Sequence, residues 1–299
     1  MAKTTLTFET PEFYDLYTTC HAHGWKNLSP FLWDYKKETL RFSALVEDLP
    51  TDIEAKQSEK TINATITSHQ KLVRFQKSKA KAAIIRSLGL DIETLELLDI
   101  AKKLESKYAE LIKHGAGRLL RAPSLWEDAA KTLFTTNCSW SLTKKICSSV
   151  CSDKFAKPAP SGDFPFPQPE KINQYTAKQL KELIPVGYRA GYLKLLAERF
   201  AKDPLLSQVE TNGFDYKAAD KMVRGLKGFA DYATAHLLIL AGHYNEIPID
   251  TVVVSYLKRN HRVRKPKSFI NRHYRKWGKY KWWGFKLEKM LCNQNWLGD

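Results

Sequence analysis

LKGFADYATAHLLILAGHYNEIPID, Leu226 to Asp250, reads as a tight Lys227-Gly-Phe-Ala-Asp231 turn, an apolar helix, and a short loop that delivers one carboxylate after Ile247-Pro248-Ile249. A glycine turn at a helix start exposes backbone N–H groups, which suits a phosphate oxygen. An acid about twenty residues later gives that anion-binding turn a chemical partner. Asp250 also stands where it can cap the helix that begins at Thr251, a common use of aspartate.

Working outward, the period of the chain changes once. Residues 1–84 favour strands: Thr4–Phe8 alternates, Leu40–Val46 is strand-like, and Thr61–Thr67 has period two with β-branched residues. Leu72–Phe75 reads as a continuation of that sheet, and Pro11–Cys20 as a helix between strands. No chemistry stands out in this unit; His23-Gly24-Trp25 is only turn-like. From Leu88 the period is helical. Asp91–Leu111 is amphipathic, and Ser124 with Glu127 has capping-box spacing before a helix over Leu125–Phe134. A further helix begins near Ser141 and ends before the proline-rich segment 157–169. The remaining pattern predicts helices over Thr176–Ile184, Ala190–Phe200, Lys217–Arg224, Tyr232–Ala241 and Thr251–Arg259. Strands first and helices after make an α+β chain.

The 299 residues are 43% hydrophobic, enough for a full core, and carry a formal net charge of +16. That charge favours a polyanionic partner. From Lys258 to Lys289 lie thirteen Lys and Arg residues opposed only by Glu288, interleaved with Tyr274, Trp277, Tyr280, Trp282, Trp283 and Phe285. No apolar run reaches the ~20 residues that cross a bilayer, and the N-terminus lacks the layout of a signal peptide, so an intracellular location (cytoplasmic and nucleoid-associated, or nuclear) and no membrane partner are expected. Five cysteines at irregular spacing offer neither a disulfide framework nor a four-cysteine zinc site.

Four segments in order resemble the helix-hairpin-helix DNA glycosylases, whose motif is a Leu-Pro-Gly-x-Gly hairpin followed by Val/Leu-Pro-x-Asp. Besides Leu226–Ala230 and Ile247–Asp250, these are Gly117-Arg-Leu-Leu-Arg-Ala-Pro123, Thr135-Thr-Asn-Cys-Ser-Trp140 and Val186-Gly-Tyr-Arg-Ala-Gly-Tyr192. The resemblance spans about residues 117–257 and is nearest the 3-methyladenine/8-oxoguanine branch. It implies a small N-terminal antiparallel α/β domain (1–84) and an all-helical core (85–299). That core would form two subdomains with a cleft between them, the hairpin over 217–241 and a basic C-terminal region over 258–299.

The same resemblance implies double-stranded DNA carrying a damaged base as the partner, bound by a monomer. Asp250 is then the catalytic carboxylate, and Asn137 the wedge that fills the vacated base position. Lys227, Gly228, Phe229, Ala230, Arg189, Lys258 and Arg262 are the DNA contacts, with Arg189 read also, and preferentially, as a structural tie between helices through a carboxylate. Tyr232, His236, Trp282 and Trp283 line the base pocket. Bifunctional relatives carry a Schiff-base lysine four residues after the first hairpin glycine; here that position is Tyr232, so a monofunctional enzyme is expected, acting on alkylated purines. An oxidised or deaminated base, or a non-catalytic DNA-binding role, are the alternatives. Relatives with a [4Fe–4S] cluster use four closely spaced C-terminal cysteines; only Cys292 lies there, so neither metal nor other cofactor is expected. The hairpin departs from the family at Lys227 and Ala230, and a need for positive φ at Ala230 would strain it.

Overall fold

The computed structural model describes residues 1–211 and 213–292. Five strands, β1 (Ala2–Glu9), β2 (Phe31–Asp34), β3 (Thr39–Val46), β4 (Leu49–Ser58) and β5 (Thr61–Ser68), form one sheet in the order β1-β5-β4-β3-β2. Every pairing is antiparallel, with Phe8 opposite Ile62, Ile53 opposite Ile66 and Phe42 opposite Ile53. One face is buried because side chains alternate across a strand: in β5, Ile62, Ala64, Ile66 and Ser68 point inward. Two strands escape the sequence pattern. β4 presents only Thr51, Ile53 and Ala55 to the core, and β2 is four residues long.

Between β1 and β2 lie α1 (Leu16–His21) and a 3₁₀ turn over Gly24–Asn27. After the sheet come α2 (Arg74–Leu88), α3 (Leu95–Leu104), α4 (Ser106–Lys113), α5 (Leu125–Thr135), α6 (Trp140–Val150), α7 (Pro169–Asn173), α8 (Ala177–Leu183), α9 (Arg189–Lys202), α10 (Tyr216–Arg224), α11 (Asp231–Leu240), α12 (Thr251–His261), α13 (Pro266–His273) and α14 (Lys281–Cys292). No helix among the described residues is long and apolar enough to cross a membrane.

Two expectations are corrected. Leu72–Phe75 does not extend the sheet: α2 starts at Arg74, burying Ala80, Ile84 and Leu88 on one face while Val73 and Phe75 stay exposed. The stretch 91–111 is two helices, broken where Glu105 adopts extended backbone (φ −164°, ψ 130°). Ser124 does cap α5, accepting from the Glu127 N–H at 3.3 Å. The Glu127 carboxylate, however, pairs with the buried Lys131 ammonium (2.6 Å) rather than reaching back to the cap.

The side chains condense into two cores. One joins the inner face of the sheet to α5, α6, α9 and α11. The other gathers α3, α4 and α12–α14 around Tyr274, Trp277 and Trp283, and receives Ile239 from α11. One buried carboxylate ties the Gly24–Asn27 turn to the helices. Asp128 on α5 accepts from Trp25 Nε1 (2.7 Å), Arg86 Nη1 (2.8 Å) and the Ala122 N–H (3.0 Å); Arg86 also meets Glu210 at 2.5 Å.

Breaking a buried, hydrogen-bonded ion pair by removing one partner leaves the other charge uncompensated. Asp128→Ala is therefore expected to lower unfolding free energy by about 3–5 kcal/mol in urea titrations. A loss under about 1 kcal/mol, the range of surface pairs, would show that Asp128 is not the fastening point.

Candidate active site

Two helix N-termini converge on one cavity of about 1040 Å³. The first is the hairpin. α10 ends at Arg224, the chain turns through Gly225–Ala230, and α11 begins at Asp231. Gly228 is required twice over. Its φ is +91°, and a Cβ there would come within 2.9 Å of Leu133 Cδ1 and 3.1 Å of the Tyr192 ring. Ala230 sits at φ −83° and ψ −173°, extended backbone open to any residue, so the strain expected at this departure does not arise. No side chain caps α11, which leaves the amides of its first turn free of side-chain acceptors among the described residues. The Asp231 carboxylate beside them is countered by Arg224 (2.7 Å) and Lys267 (3.5 Å).

The second N-terminus carries Asp250. Its Oδ1 accepts from the Val253 N–H at 2.7 Å, capping α12, while Oδ2 has no hydrogen-bond partner among the described residues. The two readings of this residue thus hold together: the cap fixes the carboxylate, and the carboxylate lines the cavity. Tyr232 and His236 line it too, one turn apart on α11. Thr135 Oγ1 lies 3.3 Å from the Tyr232 hydroxyl, which lies 3.1 Å from His236 Nδ1. Burial lowers the His236 pKa from its ordinary 6.5 to about 4, against a weaker pull from Asp128 and Asp250, so its imidazole is neutral at pH 7. Burial also raises the Tyr232 phenol, opposed by the Thr135 hydrogen bond and aided by Asp250.

Opposite the hairpin, Asn137 stands exposed on the loop between α5 and α6, with φ +44°. Asparagine tolerates this left-handed conformation better than most residues. Arg189 holds the loop from beneath. It is buried, donates from Nε to the Thr136 carbonyl (3.0 Å) and from Nη2 to the Thr136 and Asn137 carbonyls, the latter at 2.8 Å.

Several expected site residues lie elsewhere. Arg189 is a brace with its guanidinium spent on loop carbonyls, not a surface DNA contact. The Phe229 side chain is buried and its N–H is used by the Leu226 carbonyl (3.2 Å), so it offers DNA no amide. Trp282 and Trp283 are buried in the second core against Tyr244 and do not line the cavity. Lys227 is exposed beside Gly228. Lys258 and Arg262, expected to hold DNA rather than to line the cavity, are exposed and at ~1.5 Å per residue lie roughly 12 and 18 Å along α12 from Asp250.

Other residues take the places of the tryptophans. Ala22, His23, Gly24 and Trp25 bring the N-terminal domain to the cavity wall, with the Trp25 ring 5.0 Å from His236. His23 binds the Leu120 carbonyl through Nε2 (2.5 Å), and burial lowers its pKa to about 3. Trp140 lies so close over Gly24 that a Cβ there would be 2.6 Å from its ring. Tyr188 and Tyr192, from the Gly-Tyr-Arg-Ala-Gly-Tyr segment, complete an aromatic rim. Lys286 and Lys289 of α14 also line the cavity; Lys286 Nζ donates to the Ala22 carbonyl (2.5 Å), and burial, then Lys289, lowers its pKa to about 8.

No family model matches the sequence, and no curated protein matches it. Solved structures share the whole fold. A 3-methyladenine DNA glycosylase from Archaeoglobus fulgidus is 17% identical, with 95% of this chain and 97% of that chain covered at a TM-score of 0.72. An 8-oxoguanine glycosylase/lyase from Clostridium acetobutylicum in its apo-form is 13% identical over 95% and 94% of the two chains, at 0.69. The same enzyme in complex with double-stranded DNA containing cytosine opposite 8-oxoguanine gives 14%, 91% and 93%, at 0.65. The small antiparallel sheet followed by a helical remainder is the fold of these structures.

A histidine whose folded pKa is about 4 takes up its proton later than the unfolded chain does as pH falls. Stability from the neutral ring is thus complete above about 6.5 and lost as pH falls toward 4. The His236 resonance is expected to remain that of neutral imidazole down to about pH 4 in NMR titrations. A midpoint near 6.5 would mean the ring is solvated rather than enclosed.

Proposed function

We propose that this protein is a monofunctional DNA N-glycosylase that flips a damaged, alkylated purine out of the duplex and hydrolyses its glycosidic bond. The observation that carries the reading is Asp250. One carboxylate, fixed by its own helix cap, faces an aromatic cavity between the Asn137 loop and the Gly228 hairpin. The fold shared with DNA glycosylases supports the same class of activity.

The chemistry follows from the geometry. Rotating a nucleotide out of the stack costs roughly a few kcal/mol, which a side chain entering the gap offsets. Asn137 is the exposed tip available for this, and Arg189 keeps the tip in place. The uncapped N-terminus of α11 grips a phosphate, with Lys227 beside it. Lys286 and Lys289 add positive charge on the cavity wall. Breaking the N-glycosidic bond develops positive charge on the sugar, and the free oxygen of Asp250 stabilises that charge and orients the attacking water. An electron-poor alkylated base gains ~0.5–2 kcal/mol from aromatic faces, and the neutral His236 does not repel it.

A second reading rests on Lys286. Tyr232 cannot form an imine, but a cavity amine with a pKa of about 8 is available to attack C1′ of an abasic sugar. Borohydride separates the two. No trapped protein–DNA adduct is expected with the wild type; an adduct that survives Tyr232→Phe and vanishes in Lys286→Met would establish the lyase instead.

Duplexes carrying N-methylated purines, 8-oxoguanine or deaminated bases are the direct test. Base release is expected from the alkylated purines and should fall by ~100-fold or more in Asp250→Asn, while duplex affinity stays close to that of the wild type. Release only from another lesion would reassign the substrate. Tight binding with no release from any duplex would leave a DNA-binding protein that has kept the fold.

A further inference from the structure

Away from the cavity, His261, His273 and Glu288 bring one ligand atom each to within 4.8 Å of one another. They come from three helices: His261 ends α12, His273 ends α13, and Glu288 lies on α14. No local spacing announces them, since the histidines stand twelve positions apart and the glutamate fifteen positions further on. Both imidazoles approach through Nε2, His261 at 2.6 Å from Glu288 Oε1 and His273 at 2.7 Å from Oε2, with their ring centroids 4.9 Å apart.

The hydrogen-bond count around the carboxylate is informative. Oε1 is also approached by the hydroxyls of Tyr256 and Tyr274, each at 3.0 Å. A carboxylate oxygen has about two lone-pair sites, and three donors crowd this one if His261 contributes a proton. The Tyr256 hydroxyl also lies 3.4 Å from Cys292 Sγ; with the tyrosines on Oε1, the His261 tautomer whose Nε2 carries no proton presents its lone pair to a cation. Tyrosine hydroxyls bonded to a ligating carboxylate are the outer-shell support that metal sites use. Phe269 stacks on His273 (4.7 Å, 19° between planes) and lies 4.9 Å from His261, giving the donors an apolar backing. The edge of His273 is exposed, which leaves an entry path.

We propose that His261, His273 and Glu288 bind a divalent cation of the zinc class, with water in a fourth position. Two imidazole nitrogens and one carboxylate oxygen form a donor set that suits Zn²⁺, at about 2.0–2.2 Å from each ligand. Ligands at those distances from a tetrahedral ion stand roughly 3.4 Å apart, so the two nitrogen–oxygen contacts lengthen by about 0.7–0.8 Å on binding while the widest ligand separation closes. The ion joins the C-terminal end of α12, the helix whose N-terminus is Asp250, to α14, which carries Lys286 and Lys289. Its role is to brace the wall of the cavity; it lies outside the reacting groups and is independent of which base is excised.

The test is calorimetric titration of the full, chelator-treated chain with Zn²⁺, together with thermal unfolding and the visible spectrum of the Co²⁺ form. One ion per chain is expected, with Kd below about 1 µM, a rise in Tm, and the intense d–d bands of tetrahedral cobalt. His261→Gln and His273→Gln should each weaken binding at least tenfold and remove the Tm response. Glu288→Gln should do the same if it folds; the two histidine variants decide the matter if it does not. His69→Gln, which alters an exposed histidine elsewhere, should change nothing. The proposal is overturned if no saturable binding is seen, or if binding persists unchanged in the two histidine variants.

Discussion

The Trp25 wall of the candidate site is anchored by one buried carboxylate. Asp128 accepts from Trp25 of the N-terminal domain and from Arg86 and the Ala122 amide of the helical part. Without it the Trp25 indole loses its polar partner against His236, while His23 on the Leu120 carbonyl and Lys286 on the Ala22 carbonyl hold the residues before it. The sheet matters to the cavity through this contact. An isolated buried carboxylate costs far more than a paired one, so the three donors are obligatory company. Their separate places in the sequence make this contact specific.

The site itself is an arrangement of helix ends. α12 is capped by the residue proposed to do the chemistry, and α11 begins without a side-chain cap. One positive helix end therefore holds a carboxylate, and the other is left without a side-chain acceptor, as the proposed phosphate grip requires. Gly228 permits the approach, since a Cβ there would strike Leu133 and Tyr192. Burial keeps the histidines on the adjoining wall neutral, and the lysines of α14 supply the positive charge.

Much of this was legible in the sequence because it is local chemistry. The hairpin glycine, the Ile-Pro-Ile-Asp acid and most helices after residue 120 follow from turn, cap and period rules, while the asparagine at the α5–α6 junction is singled out by the family resemblance. What was missed depends on long-range placement. β4 shows only Thr51, Ile53 and Ala55 to the core, a weak alternation that becomes a strand by pairing with β3 and β5. Trp282 and Trp283 looked like pocket residues because they sit in a basic run, yet Tyr244 draws them into the second core. His23 and Trp25 read as a plain turn, and distant partners (Asp128, the Leu120 carbonyl and Lys286) bring that turn to the site. Arg189 and Phe229 are both spent internally, on loop carbonyls and on core packing. A composition or motif does not reveal such partners.

The central claim is electrostatic: Asp250 stabilises positive charge at the sugar that the cavity receives. The most direct measurement compares duplexes carrying a cationic pyrrolidine abasic analogue and its neutral tetrahydrofuran counterpart, bound to the wild type and to Asp250→Asn. The account predicts that the wild type prefers the cation by about tenfold or more, a difference of ~1.4 kcal/mol, and that the preference disappears in the variant. Equal affinity of the wild type for both duplexes, or a preference that survives the substitution, would contradict it.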